Sequence, residues 1–166
     1  MAERPPDAAR RALLHGSARI EPALRPPWAG NESEFLETCQ GSGDCIRACP
    51  ERIVIRADGG YPAVDFQRGA CTFCGACVEA CASGALSKHR ARAWERLAQI
   101  EASCLVRRGV HCQACRDACP ESAIRFAPAR AVPRPALDPA RCTACGACVG
   151  ACPVAAIAIR PVREAA

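Results

Sequence analysis

The sequence is poor in the large apolar residues from which most soluble domains build a core. Val, Ile, Leu and Phe together make up 29 of the 166 residues, about 17%, and aromatic residues account for only 4%. Below roughly 20%, a chain struggles to bury enough apolar surface to offset the entropy that it loses on ordering. A conventional hydrophobic core is therefore not expected, and another source of stability is needed.

Long apolar runs and clustered basic residues are also missing. No window of 18 consecutive apolar residues exists, which excludes a transmembrane helix and hence membrane insertion. A single lysine accompanies 21 arginines, and these are scattered instead of forming a nucleic-acid-binding arm. The pair Arg10-Arg11 lacks the apolar stretch that an export signal requires after it. We therefore expect a cytoplasmic protein that does not bind nucleic acid.

Cysteine is the residue that the chain has in excess, with 15 copies. The number is odd, so a framework of intramolecular disulfides alone would leave one thiol over. In a reducing cytosol, thiols are expected to bind metal instead of pairing. Metal binding would also supply the stability that the apolar residues cannot.

The cysteines recur in four motifs, and the gap between consecutive motifs is 22 or 23 residues. The second and fourth motifs have the same spacing, Cys71-x2-Cys74-x2-Cys77-x3-Cys81 and Cys142-x2-Cys145-x2-Cys148-x3-Cys152. The third motif is stretched at its start, Cys104-x7-Cys112-x2-Cys115-x3-Cys119. The first motif reads Cys39-x5-Cys45-x3-Cys49, with Ser42 where the second cysteine belongs.

This spacing is the bacterial ferredoxin signature for a [4Fe–4S] cubane, and the sequence predicts up to four such clusters. Three thiolates two residues apart wrap three corners of a cube, and the fourth cysteine ligates the neighbouring cluster in two-cluster ferredoxins. Zinc is the alternative, but it would use two Cys-x2-Cys pairs and leave the third and fourth cysteines of a motif idle. The predicted metal-binding residues are the 15 cysteines together with Ser42.

Two pairings of the motifs satisfy the cross-ligation rule. If neighbours pair, the groups are Cys39, Cys45 and Cys81; Cys71, Cys74, Cys77 and Cys49; Cys104, Cys112, Cys115 and Cys152; and Cys142, Cys145, Cys148 and Cys119. A nested arrangement would instead pair the first motif with the fourth and the second with the third. Both use the same ligands, and the sequence leaves the choice open.

Ser42 is the departure that bears most on the first cluster. A serine oxygen is a harder ligand than a thiolate and holds iron less well in a cubane. Three outcomes stay open: a serine-ligated [4Fe–4S] cluster, a [3Fe–4S] cluster, or a labile site. Alternatively, Asp44 or water completes the coordination.

The local pattern predicts an α+β fold of tandem ferredoxin-like modules, with short β-hairpins and short helices around the clusters. Strand-like runs cover residues 52–56, 61–66, 123–126 and 156–159, and short helices are expected near 76–80 and 147–151. Residues 1–35 form a Pro- and Arg-rich extension over the surface, and residues 128–139 form an extended connection. Modules 1 and 2 occupy 36–86 and modules 3 and 4 occupy 104–166. A helix over 87–103 connects them, since Trp94, Leu97 and Ile100 have helical spacing.

The chain resembles the NapF-type ferredoxins encoded with periplasmic nitrate reductase, over roughly residues 10–160. The distinctive stretches are Arg25-Pro26-Pro27-Trp28-x-Gly30, Gly59-Gly60-Tyr61-Pro62-x-Val64-x-Phe66, Arg92-Ala93-Trp94 and Cys104-x7-Cys112. The resemblance implies a cytoplasmic protein that binds the precursor of the molybdenum-containing catalytic subunit before export. It further implies that the protein assists loading of that subunit's own [4Fe–4S] cluster, or supplies electrons to it. The family's first motif normally carries cysteine at the position of Ser42.

Three functions are therefore compared: a maturation partner, an electron carrier to a molybdenum oxidoreductase, and a purely structural metal protein. We expect no enzyme, because no Ser/His/Asp or Cys/His pairing is evident and the clusters use the cysteines. Cysteine spacing does not separate the first two functions.

Overall fold

The computed structural model describes residues 23–89, 93–129 and 131–162, and the helices and strands within them are short. The helices are α1 Glu32–Thr38, α2 Asp44–Ala48, α3 Ala76–Glu79, α4 Ala114–Asp117 and α5 Ala147–Gly150. Single 3-10 turns cover Asp58–Gly60 and Leu105–Arg108. The strands are β1 Val54–Arg56, β2 Pro62–Val64, β3 Arg96–Ile100, β4 Ile124–Phe126, β5 Pro135–Leu137 and β6 Ile157–Pro161. Short helices and small antiparallel sheets confirm the α+β class.

Each half of the chain folds a hairpin between its two cysteine motifs. In the first half, β1 pairs antiparallel with β2, from Val54 opposite Val64 to Arg56 opposite Pro62. In the second half, β4 pairs with β5, from Ile124 opposite Leu137 to Phe126 opposite Pro135. Because a hairpin reverses the chain, it returns the second motif of each half to the side of the first. Part of the connection expected over 128–139 is therefore a paired strand.

Each half is also closed by a pairing between the segments that flank it. In the second half, β3 precedes the third motif and pairs antiparallel with β6, which follows the fourth. In the first half, a single bridge between Ala29 and Leu86 occupies the corresponding place. The two halves thus repeat one plan, which we call the first and second units.

The connecting helix expected over 87–103 is wrong, because part of this segment is a strand. Residues 96–100 form β3, and Ile100 lies opposite Ile157 of β6. Leu97 and Ile100 do have helical spacing, but the strand gains its backbone hydrogen bonds from a partner far along the chain. Residues 90–92, which include Arg92, lie outside the described residues.

The N-terminal segment is packed, not laid over the surface, where it is described. Pro26 is fully buried, and the Val64 N–H donates to the Leu24 carbonyl at 2.7 Å. The Trp94 indole N–H donates to the Arg25 carbonyl at 3.0 Å. Helix α1 crosses the predicted boundary at residue 35. Residues 1–22 of the predicted extension, with the Arg10-Arg11 pair, lie outside the described residues.

The core mixes a few large apolar side chains with the cysteines. Phe35, Ile53 and Ile124 are fully buried, and one cysteine from each motif is buried among such residues: Cys45, Cys77, Cys115 and Cys148. The shortage of large apolar residues is thus met by bringing thiols into the core. In the part of the chain that the structure describes, no helix is long and apolar enough to span a bilayer.

Candidate metal centres

The cysteines of the fourth motif line an apolar cavity that a cysteine from the third motif completes. Cys142, Cys145 and Cys148 contribute from one loop, and Cys119 reaches the same cavity from the end of the third motif. Ala98 of β3 and Ile159 of β6 line the cavity as well. The flanking strands therefore form part of this site.

The third motif forms the reciprocal site. Cys104, Cys112 and Cys115 line a cavity together with Cys152, the last cysteine of the fourth motif. The stretched spacing between Cys104 and Cys112 is taken up by the 3-10 turn Leu105–Arg108. The longer loop therefore still brings its two cysteines to one cavity.

The first unit repeats the arrangement. Cys71, Cys74 and Cys77 line a cavity with Cys49, the last cysteine of the first motif. For the first motif, the thiolates of Cys39 and Cys81 both raise the pKa of Cys45, after the larger effect of its burial. Cys81, the last cysteine of the second motif, is therefore close to the first motif's remaining cysteines.

All four groups follow the neighbouring pairing. Helix α2 packs on α3 and α4 packs on α5, so each fourth cysteine is carried to the loop of its partner motif. The hairpins β1–β2 and β4–β5 produce this packing by reversing the chain between the motifs. The nested pairing does not agree with these contacts.

The loops carrying three of the motifs share one backbone form. The residue two after the first cysteine has a positive φ: 67° at Gly41, 55° at Phe73 and 60° at Ala144. Two residues further on, a glycine with φ of 80–84° caps the following helix: Gly43, Gly75 and Gly146. The left-handed region is costly for non-glycine residues. Its recurrence at the same position therefore indicates that the three loops adopt one specific conformation. Ser42 therefore occupies the same place in its loop as Cys74 and Cys145 do in theirs.

The fourth cysteine of each motif is followed by a second recurring turn, which the sequence analysis missed. Three residues after that cysteine, φ is positive at Arg52, Gly84, Ser122 and Ala155. The next residue is buried in every copy: Ile53, Ala85, Ala123 and Ala156. The Ala123 N–H donates to Cys119 Sγ at 3.3 Å, and the Ala156 N–H donates to Cys152 Sγ at 3.2 Å. The sequence does carry a signal for this turn, because a small or apolar residue recurs four positions after the last cysteine of each motif.

The donor set fits an iron–sulfur cluster. Soft thiolates line small apolar cavities, and backbone N–H groups point at their sulfurs, as the Phe73 N–H does toward Cys71 Sγ at 3.4 Å. Such hydrogen bonds stabilise the negative charge of a cluster with its thiolates. Among the described residues, no three Cys, His, Asp or Glu side chains converge on a single metal ion. In a cubane each thiolate binds a separate iron, so its ligands surround a cavity instead of converging.

Burial makes several of these thiols weak acids in the absence of iron. Desolvation, followed by repulsion from neighbouring thiolates, raises the pKa of Cys77 and Cys148 to about 12. Desolvation likewise raises the pKa of Cys71 and Cys115 to about 11. These thiols hold their protons at neutral pH, so iron must displace a proton to bind each of them.

We expect cluster loss to accelerate in acid. Protons compete with iron for thiolates of raised pKa, so lowering the pH favours the thiol, by about tenfold per pH unit for each proton taken up. With an iron chelator under anaerobic conditions, visible absorbance should bleach much faster at about pH 6 than at about pH 8. The same series without chelator is the control. A bleaching rate independent of pH would contradict the expectation.

Comparison with known proteins agrees with the two-unit plan. Two family models, each described as "4Fe-4S dicluster domain", match residues 38–86 and residues 108–156 respectively. The chain is 42% identical over 141 residues to the "Ferredoxin-type protein NapF" of Escherichia coli strain K12, covering 84% of this chain and 86% of that protein. The chain belongs to the NapF family of ferredoxin-type proteins. It carries 4Fe–4S clusters, as the dicluster matches and the cysteine cavities require.

Other relatives of this NapF-family chain share less of it. It is 38% identical over 103 residues to NapF of Haemophilus influenzae, covering 62% of this chain and 58% of that protein. It is 31% identical over 154 residues to the "Methylamine utilization ferredoxin-type protein MauM" of Paracoccus denitrificans, covering 81% and 69%. All of these relatives are named ferredoxin-type proteins, which agrees with an iron–sulfur protein that transfers electrons. Cys104 lies outside the second dicluster match, so its assignment rests on its cavity.

Proposed function

We propose that the four cysteine groups hold four clusters and that the protein matures the catalytic subunit of periplasmic nitrate reductase in the cytoplasm before export. Membership of the NapF family carries this proposal, through the identity shared over most of the chain. In this role the protein binds the precursor of that subunit and assists its iron–sulfur loading. It has no enzymatic activity of its own.

The proposed ligands are the neighbouring groups that line the cavities, with Cys39, Cys45 and Cys81 at the first site. A bound cluster would supply one-electron redox chemistry and a source of iron and sulfide. The chain's own residues hold it, exclude water through apolar linings such as Ile124 and Leu137, and donate backbone hydrogen bonds to the sulfurs. Ser42 stands where the first motif would carry its second cysteine, so this site has only three thiolates. A serine oxygen at the remaining corner favours a [3Fe–4S] or labile cluster. A labile cluster suits donation.

The second candidate is an electron carrier to a molybdenum oxidoreductase. It is favoured by the contact between the two units, where the Cys71 N–H donates to the Cys145 carbonyl at 2.8 Å. That contact brings a cysteine loop of one unit against a loop of the other. With cysteine loops in contact both within and between the units, electrons could pass from cluster to cluster along the whole molecule.

Labelled iron separates the two functions. The holoprotein is loaded with an iron isotope and mixed anaerobically with cluster-free precursor of the catalytic subunit, without reductant. Maturation predicts a stable complex and isotope in the re-isolated precursor, whereas a two-cluster bacterial ferredoxin loaded in the same way transfers none. If no isotope moves and the subunit gains activity only when electrons are fed through this protein, the maturation role is wrong and the carrier role stands.

A further inference from the structure

The two units meet at a tight contact between an aromatic ring and a glycine. Phe66 follows strand β2 in the first unit and is 6% exposed. A Cβ built on Gly146 would lie 2.1 Å from Cδ1 and 2.2 Å from Cγ of the Phe66 ring. A Cβ on Gly150 would lie 3.2 Å from the Phe66 carbonyl oxygen. The fourth motif thus presents two glycines where the first unit approaches, and Gly146 has no room for a side chain.

The same junction brings two cysteine loops together through their backbones. The Cys71 N–H, at the start of the second motif, donates to the carbonyl of Cys145 in the fourth motif at 2.8 Å. Gly146 is the next residue after Cys145, so the ring contact and the hydrogen bond act on one loop. A side chain at position 146 that pushed against the Phe66 ring would therefore move the fourth-motif loop away from the second-motif loop.

An aromatic cluster, made of Trp28, Phe66, Phe73 and Trp94, holds the Phe66 ring in place. The rings of Phe66 and Trp94 meet edge-on with centroids 5.7 Å apart, and those of Phe73 and Trp94 at 5.8 Å. The ring of Trp28 meets that of Phe73 at 6.4 Å, and both residues line the cavity of the second motif. The ring facing Gly146 is therefore fixed by packing and not free to turn away.

We propose that Phe66 and Gly146 are positioning residues whose contact sets the spacing of the second and fourth cysteine loops, and with it the magnetic and electronic coupling between the two units. The proposal rests on the ligand groups given under the proposed function. Within each unit, the helix pairs α2–α3 and α4–α5 already join its own two motifs. The four sites therefore follow the order first, second, fourth, third through space, and the junction is the middle step.

The motif itself offers a matched control. Gly75 holds the same place in the second motif as Gly146 in the fourth, with φ of 84° against 82°. A Cβ there would lie 2.2 Å from both Cε and Nζ of Lys88, and 3.8 Å from Glu79 Oε1. Lys88 has half of its side chain exposed, so its flexible end can move away. Alanine at either position imposes the same left-handed strain, but only Gly146→Ala pushes against a fixed ring.

The test compares electron paramagnetic resonance spectra of the fully reduced holoproteins. We expect Gly146→Ala to lose part of the inter-cluster splitting and fast spin relaxation, because dipolar coupling falls with the inverse cube of distance. Gly75→Ala should keep the wild-type spectrum. The double variant Phe66→Leu/Gly146→Ala, which makes room for the methyl group, should regain the splitting. Wild-type splitting in Gly146→Ala, or an equal loss in Gly75→Ala, would overturn the proposal.

Iron content distinguishes a change in inter-cluster splitting from an error in the proposed ligand groups. All variants should hold as much iron as the wild type, because no proposed ligand is changed. A wild-type protein with fewer than three clusters would contradict the ligand groups, because only the first site is expected to be labile, and the ring contact is judged separately by the splitting. If Gly146→Ala does not accumulate, Phe66→Leu is measured by itself. A weakened splitting with full iron supports the contact, and an unchanged splitting overturns it.

Discussion

Cys119→Ser is expected to destabilise the cluster of the fourth motif and to spare the cluster of its own motif. Cys119 belongs to the third motif by sequence, but it lines the cavity formed by Cys142, Cys145 and Cys148. A cubane that loses one of four thiolates holds iron less well, because a serine oxygen is a harder ligand. Iron per protein should fall by about one iron if a [3Fe–4S] cluster stays, as proposed for the first site, and by about a quarter if the whole cluster is lost.

Double variants identify which cluster is affected, because two changes at one cluster cannot cost more iron than that cluster holds. Cys119→Ser combined with Cys145→Ser should lose no more than one cluster's iron, about a quarter of the total. Cys119→Ser combined with Cys112→Ser should lose the sum of the two single losses, since Cys112 lines the other cavity. Iron and protein are measured on anaerobically purified samples. If Cys119→Ser instead fails to add to Cys74→Ser, the third motif pairs with the second and the nested arrangement is correct.

The parts of the fold set by local spacing could be predicted from the sequence. Helices expected near 76–80 and 147–151 are Ala76–Glu79 and Ala147–Gly150, because the Cys-x2-Cys-x3-Cys spacing itself fixes where the chain must turn. The strand runs after the first, third and fourth motifs are confirmed for the same reason. Each of these elements depends on residues close to it in the chain.

Features that depend on distant partners could not be predicted in this way. Strand β3 has a helical apolar spacing, and only its pairing with β6 makes it a strand. The ligand pairing was open because both alternatives use the same 16 positions, and the hairpins favour the pairing of neighbouring motifs. The contact between Gly146 and Phe66 of the first unit likewise joins residues far apart in the chain. The division into an extension, two module pairs and a connection stays a prediction.

Ser42→Cys is expected to convert the first site into a stable four-iron cluster. The loop around Ser42 already has the backbone of the complete motifs, with φ of 67° at Gly41 and 80° at Gly43 against 55° and 84° around Cys74. Ser42 is exposed and its Oγ accepts a long hydrogen bond, 3.5 Å from the Asp44 N–H, so little is lost by replacing it. A thiolate at this position would therefore face the site without any backbone change.

The measurement is electron paramagnetic resonance of the oxidised protein together with iron content. Wild-type protein should show a [3Fe–4S] signal, and Ser42→Cys should lose that signal and gain about one iron. Ser33→Cys, the same change on the exposed part of α1, should match the wild type. Ser42→Ala separates the remaining alternatives, since it loses further iron only if the serine oxygen is a ligand. An oxidised wild-type protein that is silent and fully loaded with iron would show that the first site is already complete, with Asp44, water or Ser42 in the place of the missing thiolate.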